Sequence, residues 1–298
     1  MARKKLDEAK RFKLVSQAGA GSCLVLQKFA VTLLDLESKD KNVGSGTLVS
    51  LGNRLLIATA AHVIPSNPTG RLWLIRRQGR YAKDGFPGFL KWRRHPDPRK
   101  DVGYLEVNRQ TVTEYLDNDD FCTIDNIANF GAGRKNRGTI VVGTPAAKVQ
   151  PQTVGETAIL KFEVMPYWTT PLMPKQWPRV GKHDTPPDYS IDVFLEYPET
   201  ESRDVHTNRP SKVPNAVGMS GGGIWDQGFG LRKIWDPRDC KLYAIQSGWE
   251  ERKRYLRGVQ IGHWIELVAS DYPDLAKVFA AQPVTQPIAP SKGCGAKP

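Results

Sequence analysis

Short apolar runs cut by glycine, proline and charged turns set the rhythm of this chain. Residues 1–15 are polar and charged and predict a short helix or a frayed arm. Beyond them the runs read as strands: CLVLQKFAVTLLDLE (23–37), GSGTLVSL (44–51), RLLIATA (54–60), RLWLIRR (71–77) and DVGYLEV (101–107). The Gly-Asn pair between the second and third predicts a hairpin. In DVGYLEV, Val102 and Tyr104 fall on one face and Leu105 and Val107 on the other, and only Glu106 interrupts the apolar character of both. TVTEYLDN (111–118) predicts a short helix.

A second set of strands opens at RGTIVVGTPA (137–146). TAILKFEVM, YSIDVFLEY, GGGIWD, KLYAIQSGW and LRGVQIG follow. The proline-rich stretch 165–190 predicts a long surface loop. Helical spacing then takes over in IGHWIELVASDYPDLAKVFAAQ, with Trp264, Leu267 and Val268 followed by Leu275, Val278 and Phe279, and Pro273 predicts a break. The tail PVTQPIAPSKGCGAKP lacks the apolar content of a packed element and predicts disorder.

Composition narrows the class. Among the 298 residues, 27 glycines and 22 prolines suit many turns rather than long helices. No run approaches the roughly 18 apolar residues of a membrane span. MARKKLDEAKRFKLV lacks the roughly 7–15-residue apolar core of a secretory signal, so a soluble, cytoplasmic protein is expected, with no membrane partner. Cysteines 23, 122, 240 and 294 form no CxxC pair, which gives zinc no support and fits a reducing compartment. The net charge of +12 raises nucleic acid as a partner. However, the basic clusters are dispersed and no nucleic-acid-binding motif accompanies them, so nucleic acid is not the expected partner.

Three stretches carry candidate chemistry. LLIATAAHVI (55–64) ends an apolar run in Ala60, Ala61 and His62, an imidazole that a merely buried strand would not need. AVGMSGGGIWD (216–226) sets Ser220 among Gly218 and Gly221 to Gly223. Glycines allow a sharp turn whose N–H groups converge on one point, as an oxyanion requires. RKDVGYLEV (99–107) puts Asp101 at the head of a strand. A serine hydroxyl needs a base to become a nucleophile, and an imidazole that acts as base needs an acid to fix its tautomer. Each stretch alone has a plain structural reading: a buried strand end, a glycine-rich hairpin, a turn aspartate. Asp97, held between two prolines, is the rival acid. His95, His183, His206 and His263 read as surface residues.

Together these residues resemble the trypsin-like, chymotrypsin-fold serine peptidases. GSGTLVS with LLIATAAHV, DVGYLEV and GMSGGGIW match the family's strand–TAAH, D-[IV]-[AG]-x-[LV] and G-x-S-G-G patterns. The order His, Asp, Ser also matches, and the likeness spans about residues 20–270. The resemblance implies an all-β fold of two six-stranded antiparallel barrels with a C-terminal helix. The expected division is an arm (1–19), a first barrel with His62 and Asp101 (20–134), a second with Ser220 (135–262), a helix (263–281) and a tail (282–298). It implies a serine endopeptidase acting through an acyl-enzyme on a protein or peptide. His62 would be the base, Asp101 its orienting acid and Ser220 the nucleophile, with the N–H groups of Gly218 and Ser220 as oxyanion hole. No metal or organic cofactor is called for. AIQSG (244–248) resembles the strand that pairs with extended substrate, which puts Gln246, Ser247 and Gly248 along it. Pro214 falls at the base of the primary pocket.

The chain departs from the digestive members of that family. Val63 stands where they carry a cysteine, and Met219 where they carry the aspartate that pairs with a new N-terminus after cleavage. The expectation is a non-zymogen enzyme like bacterial or other intracellular members. An activating partner, a ligand or the 165–190 stretch is left to control it. KWRRHPDPRK (91–100) suggests a preference for acidic substrate residues. The alternatives are a catalytically silent or latent fold that binds a peptide or partner, and a basic nucleic-acid-binding β-protein whose binding would weaken steeply with salt.

Overall fold

The computed structural model describes residues 17–35, 37, 43–75, 88–113, 116, 120–128, 138–154, 157–178, 186–198, 211–228, 236–250 and 255–281. The expectations for residues 1–15, His183, His206, Cys294 and the C-terminal tail lie outside them.

A helix, α1, covers 17–26 and takes in Cys23–Leu26, which the sequence reads as the start of a strand. Ala18, Gly19, Ser22, Cys23 and Leu26 are its buried residues, a spacing that belongs on one helical face. That face lies on the second half of the molecule: Gln27 Nε2 donates to Val164 O (2.9 Å), and Cys240 Sγ contacts Ser22 Oγ at 3.5 Å. Six strands then form the first sheet: β1 (Ala30–Asp35), β2 (Val43–Leu51), β3 (Arg54–Thr59), β4 (Leu72–Ile75), β5 (Phe89–Arg94) and β6 (Gly103–Val107). Their order is β4-β1-β2-β3-β6-β5, antiparallel throughout, and Leu51 opposes Arg54 across the expected Gly-Asn hairpin. The short α2 (Arg109–Thr113) begins two residues before the predicted helix, and β7 (Cys122–Thr123) lies parallel to β2.

The later strands are β8 (Thr139–Gly143), β9 (Gln150–Val154), β10 (Thr157–Lys161), β11 (Met165–Thr169), β12 (Asp192–Glu196), β13 (Gly223–Asp226), β14 (Lys241–Glu250) and β15 (Tyr255–Gln260). The second sheet runs β11-β8-β13-β14-β15-β12, with β9 and β10 a separate hairpin. The stretch 165–190 is therefore more than a surface loop. β11 is a sheet strand, and after it Pro171 opposes Leu195 while Leu172 N donates to Phe194 O (2.8 Å) and Glu196 N to Thr170 O (3.0 Å). These bonds bring the two ends of the second sheet together. Two six-stranded antiparallel sheets and a C-terminal helical segment are the chymotrypsin-like double barrel that the resemblance implied.

Period-2 alternation explains why the strands of the first sheet are apolar on both faces. Val31, Leu33, Leu48, Leu55, Ile57, Leu105 and Val107 fill the first barrel. Their neighbours Val49, Leu51, Leu56, Ala58, Val102 and Tyr104 point the other way, into a core shared with Val142, Ile224, Trp225, Leu242 and Trp264 of the second half. The helix breaks where Pro273 predicts, into α3 (Ile261–Asp271) and α4 (Pro273–Ala280). Its polar end returns to the first barrel. Tyr104 Oη and Arg93 both donate to Asp271, Tyr272 Oη donates to Glu106 Oε2 (2.7 Å), and Arg54 lies 4.1 Å from the Tyr272 ring centroid. Glu106, the one polar residue of its strand, is thereby partnered. No helix among the described residues is long and apolar enough to cross a membrane.

Candidate active site

His62 stands in the 3₁₀ turn Ala61–Val63 that ends β3. Two contacts fix it to Asp101, which precedes β6: His62 Nδ1 to Asp101 Oδ2 at 2.6 Å, and His62 N–H to Asp101 Oδ1 at 3.0 Å. A carboxylate only accepts, so the Nδ1 contact places the ring proton on Nδ1 and leaves Nε2 with its lone pair. The turn is held from below. Arg94 donates to Ile64 O, and Val63 packs so closely over Gly44 that a Cβ there would lie 2.4 Å from its methyl. Asp97 belongs elsewhere: Arg99 binds it at 2.8 Å and holds its carboxyl at about 2.

Ser220 lies in the loop 217–222 leading into β13. Ala60 and Thr59, at the end of β3, are its floor. A Cβ on Gly221 (φ +90°) would lie 2.0 Å from Ser45 O and 2.1 Å from Thr59 Oγ1, and one on Gly218 (φ +93°) 2.6 Å from Ala146 N, so both positions require glycine for conformation and for space. The Ser220 loop is thus seated on Thr59 and Ala60, the residues that lead into the His62 turn. Ser220 Oγ makes no hydrogen bond with a described residue.

The loop's backbone N–H groups divide sharply. Val217 N donates to Asn215 Oδ1 (2.8 Å), Met219 N to Ala216 O (3.0 Å), Gly221 N to Gln246 O (2.7 Å) and Gly222 N to Met219 O (2.8 Å). The N–H groups of Gly218 and Ser220 have no acceptor among the described residues. Met219, where the resemblance expects an aspartate, is fully buried with its sulfur 3.8 Å from Tyr197 Oη. Tyr197 also donates to Pro214 O (2.9 Å), and burial raises its phenol well above the ordinary range, so it braces the loop as a neutral group. Tyr197 and Ser45 were not singled out in the sequence. An isolated tyrosine after a strand carries no signal, whereas the serine between two glycines in GSG was a trace of close packing.

On the substrate side, Pro214 is half-buried, its carbonyl accepting from Tyr197 Oη. Gln246 is fully buried. Its N–H donates to Gly222 O (2.9 Å), its C=O accepts from Gly221, and its Nε2 donates to Gly248 O (2.9 Å). β13 pairs with β14 only as far as Ile245, so along Ser247 and Gly248 no described strand occupies that edge of β14.

The cations of 91–100 are engaged within the fold: Lys91 (3.4 Å) and Arg93 pair with Asp271, Arg94 binds Ile64 O, Arg99 pairs with Asp97 (2.8 Å) and Lys100 with Glu266 (3.3 Å). One expectation is corrected here. His263 is buried rather than on the surface, with Nδ1 3.0 Å from Glu266 Oε2 and Nε2 2.9 Å from Ser190 O. His95 is partly buried. Its Nδ1 accepts from Asp97 N (3.0 Å), and burial together with Lys100 holds its pKa below the ordinary imidazole value.

No family model and no curated protein matches this sequence. Solved structures do. A scabies mite inactivated protease paralogue superposes with a TM-score of 0.53 at 10% sequence identity, over 84% of this chain and 96% of that one. The serine protease of a human pathogenic astrovirus is a looser match, with a TM-score of 0.41 at 13% identity over 79% and 90%. The first likeness shows a shared fold.

Proposed function

We propose that the chain is a serine endopeptidase working through Ser220, His62 and Asp101. One observation carries the reading. In the glycine loop around Ser220, the only N–H groups without an acceptor among the described residues are those of Gly218 and Ser220, in a loop seated on the residues that lead into the His62 turn. Backbone donors left without a protein acceptor in a tight glycine turn are free to hold an anionic oxygen. His62 Nε2 takes the Ser220 proton as Oγ attacks the peptide carbonyl carbon. The carbonyl oxygen becomes an oxyanion held by the two N–H groups. On collapse the C–N bond breaks and the leaving amine takes the proton from His62. Water, deprotonated by the same nitrogen, then releases the acyl group from Ser220. The open edge of β14 at Ser247 and Gly248 is where extended substrate would pair.

A second reading is a latent or silent fold that binds a peptide. It is favoured by Ser220 Oγ having no hydrogen bond with a described residue, although such contacts often tighten only with substrate. Treatment with a fluorophosphonate probe, read by intact mass beside Ser220→Ala, separates them. One adduct on wild type and none on the variant is expected for the peptidase. No adduct on either would establish the latent reading.

A further inference from the structure

We infer that Ser45, on β2 of the first barrel, is a positioning residue for the oxyanion hole of the second. This rests on the peptidase reading of Ser220. Ser45 is fully buried and reaches the nucleophile loop at two points. Its Oγ donates to Gly218 O (2.9 Å), and its backbone N–H donates to Ser220 O (2.7 Å). The direction of the hydroxyl proton is forced. Thr144 N–H donates to the same Oγ (2.8 Å) and can only donate, while Gly218 O can only accept, so the single proton lies toward Gly218. The remaining group of Ser45 is also fixed, since its carbonyl accepts from Thr59 Oγ1 (2.7 Å).

The fold makes this reach possible. Pairing of β2 with β3 stops at Thr47 opposite Ala58, two residues short of Ser45, so on that edge its N–H and C=O have no strand partner. The Ser220 loop occupies the vacated edge. The two carbonyls that Ser45 holds flank the Met219–Ser220 peptide, whose N–H is one of the two unspent donors. Holding the Gly218 carbonyl also sets the tilt of the residue that supplies the other donor. Gly218 needs φ +93°, a conformation with no side-chain packing of its own to maintain it. A buried hydroxyl with both partners determined supplies that constraint from across the interface between the sheets. Pre-set donor geometry is what makes an oxyanion hole effective.

The test compares Ser45→Ala with Thr32→Val. Thr32 is equally buried, opposite Ser45 on β1, and its hydroxyl bonds Thr144 Oγ1 at 2.6 Å but makes no hydrogen bond to the described residues 216–222. Two readouts are taken: the rate of fluorophosphonate labelling at Ser220, and amide hydrogen exchange of segment 216–222. Ser45→Ala should label more slowly by on the order of 10- to 100-fold, below the ~10²–10³ lost when an oxyanion donor is deleted outright. It should raise exchange at Met219, whereas Thr32→Val should leave labelling within about threefold and exchange unchanged. If both variants label alike, Ser45 is only structural and the inference is overturned. If wild type does not label, the peptidase reading fails, and unchanged exchange in Ser45→Ala would overturn the anchoring separately. Should Ser45→Ala not fold, Ser45→Cys, which keeps the shape and a weak donor, carries the same comparison with intermediate slowing.

Discussion

At the scale of single residues, the Asp101 carboxylate does two things to His62 at once, one oxygen on the backbone N–H and one on Nδ1. Asp101→Asn separates them. The amide oxygen can still accept from His62 N–H, but the amide nitrogen then faces Nδ1 and favours the tautomer with its proton on Nε2. On the proposed mechanism kcat should fall by about 10⁴, with Tm little changed; labelling of Ser220 at the wild-type rate would remove Asp101 from the machinery. The candidates His62, Asp101 and Ser220 were readable only from the three stretches taken together, an imidazole after an apolar run, an acid heading a strand and a serine among glycines, since each alone has a plain structural reading. Ser45 and Tyr197 were not, because their partners lie 173 and 17 residues away and no local spacing encodes them.

At the scale of elements, short apolar runs located most of the strands, including those apolar on both faces, but misread the residues just before β1. The predicted strand run overlaps α1 only at Cys23–Leu26, and the burial of Ala18, Ser22 and Leu26 at four-residue spacing marks these residues as helix. β11 was hidden by Pro166 within it and by Pro171, which sits where the second sheet closes. The helix pair α3 and α4 was legible, including its break, but its attachment was not. That attachment centres on Asp271. Burial opposes its charge, but Tyr104, Lys91 and Arg93 outweigh burial and hold its carboxyl below the ordinary range. A carboxyl depressed in the folded state adds stability above its unfolded pKa, near 3.9, and loses it as pH falls through the lower folded value. Asp271→Asn should therefore destabilise by about 1–3 kcal/mol at neutral pH. The gap should narrow in urea titrations taken below about pH 4; a gap that does not depend on pH would show that charge is not its source.

At the scale of the whole molecule, the two sheets share one core, and the candidate site is made where they meet. Leu56, fully buried, points away from the interior of its own barrel into the cluster that holds Val142, Trp225 and Leu242. Neither half can loosen without exposing apolar surface of the other. The Ser220 loop is bonded to Gln246 in its own half, but it loses its anchor on Ser45 and its seat on Thr59 and Ala60 once the sheets part. Leu56→Ala, a truncation some distance along β3 from His62, should cost about 2–5 kcal/mol. Its effect should be to lower a single calorimetric transition, with loss of probe labelling on heating following the same curve. Chains of this length often unfold in steps, so the outcome discriminates. Two resolved transitions, with labelling lost in the first, would mean that the barrels are separately stable and that their interface is the weak element of the site.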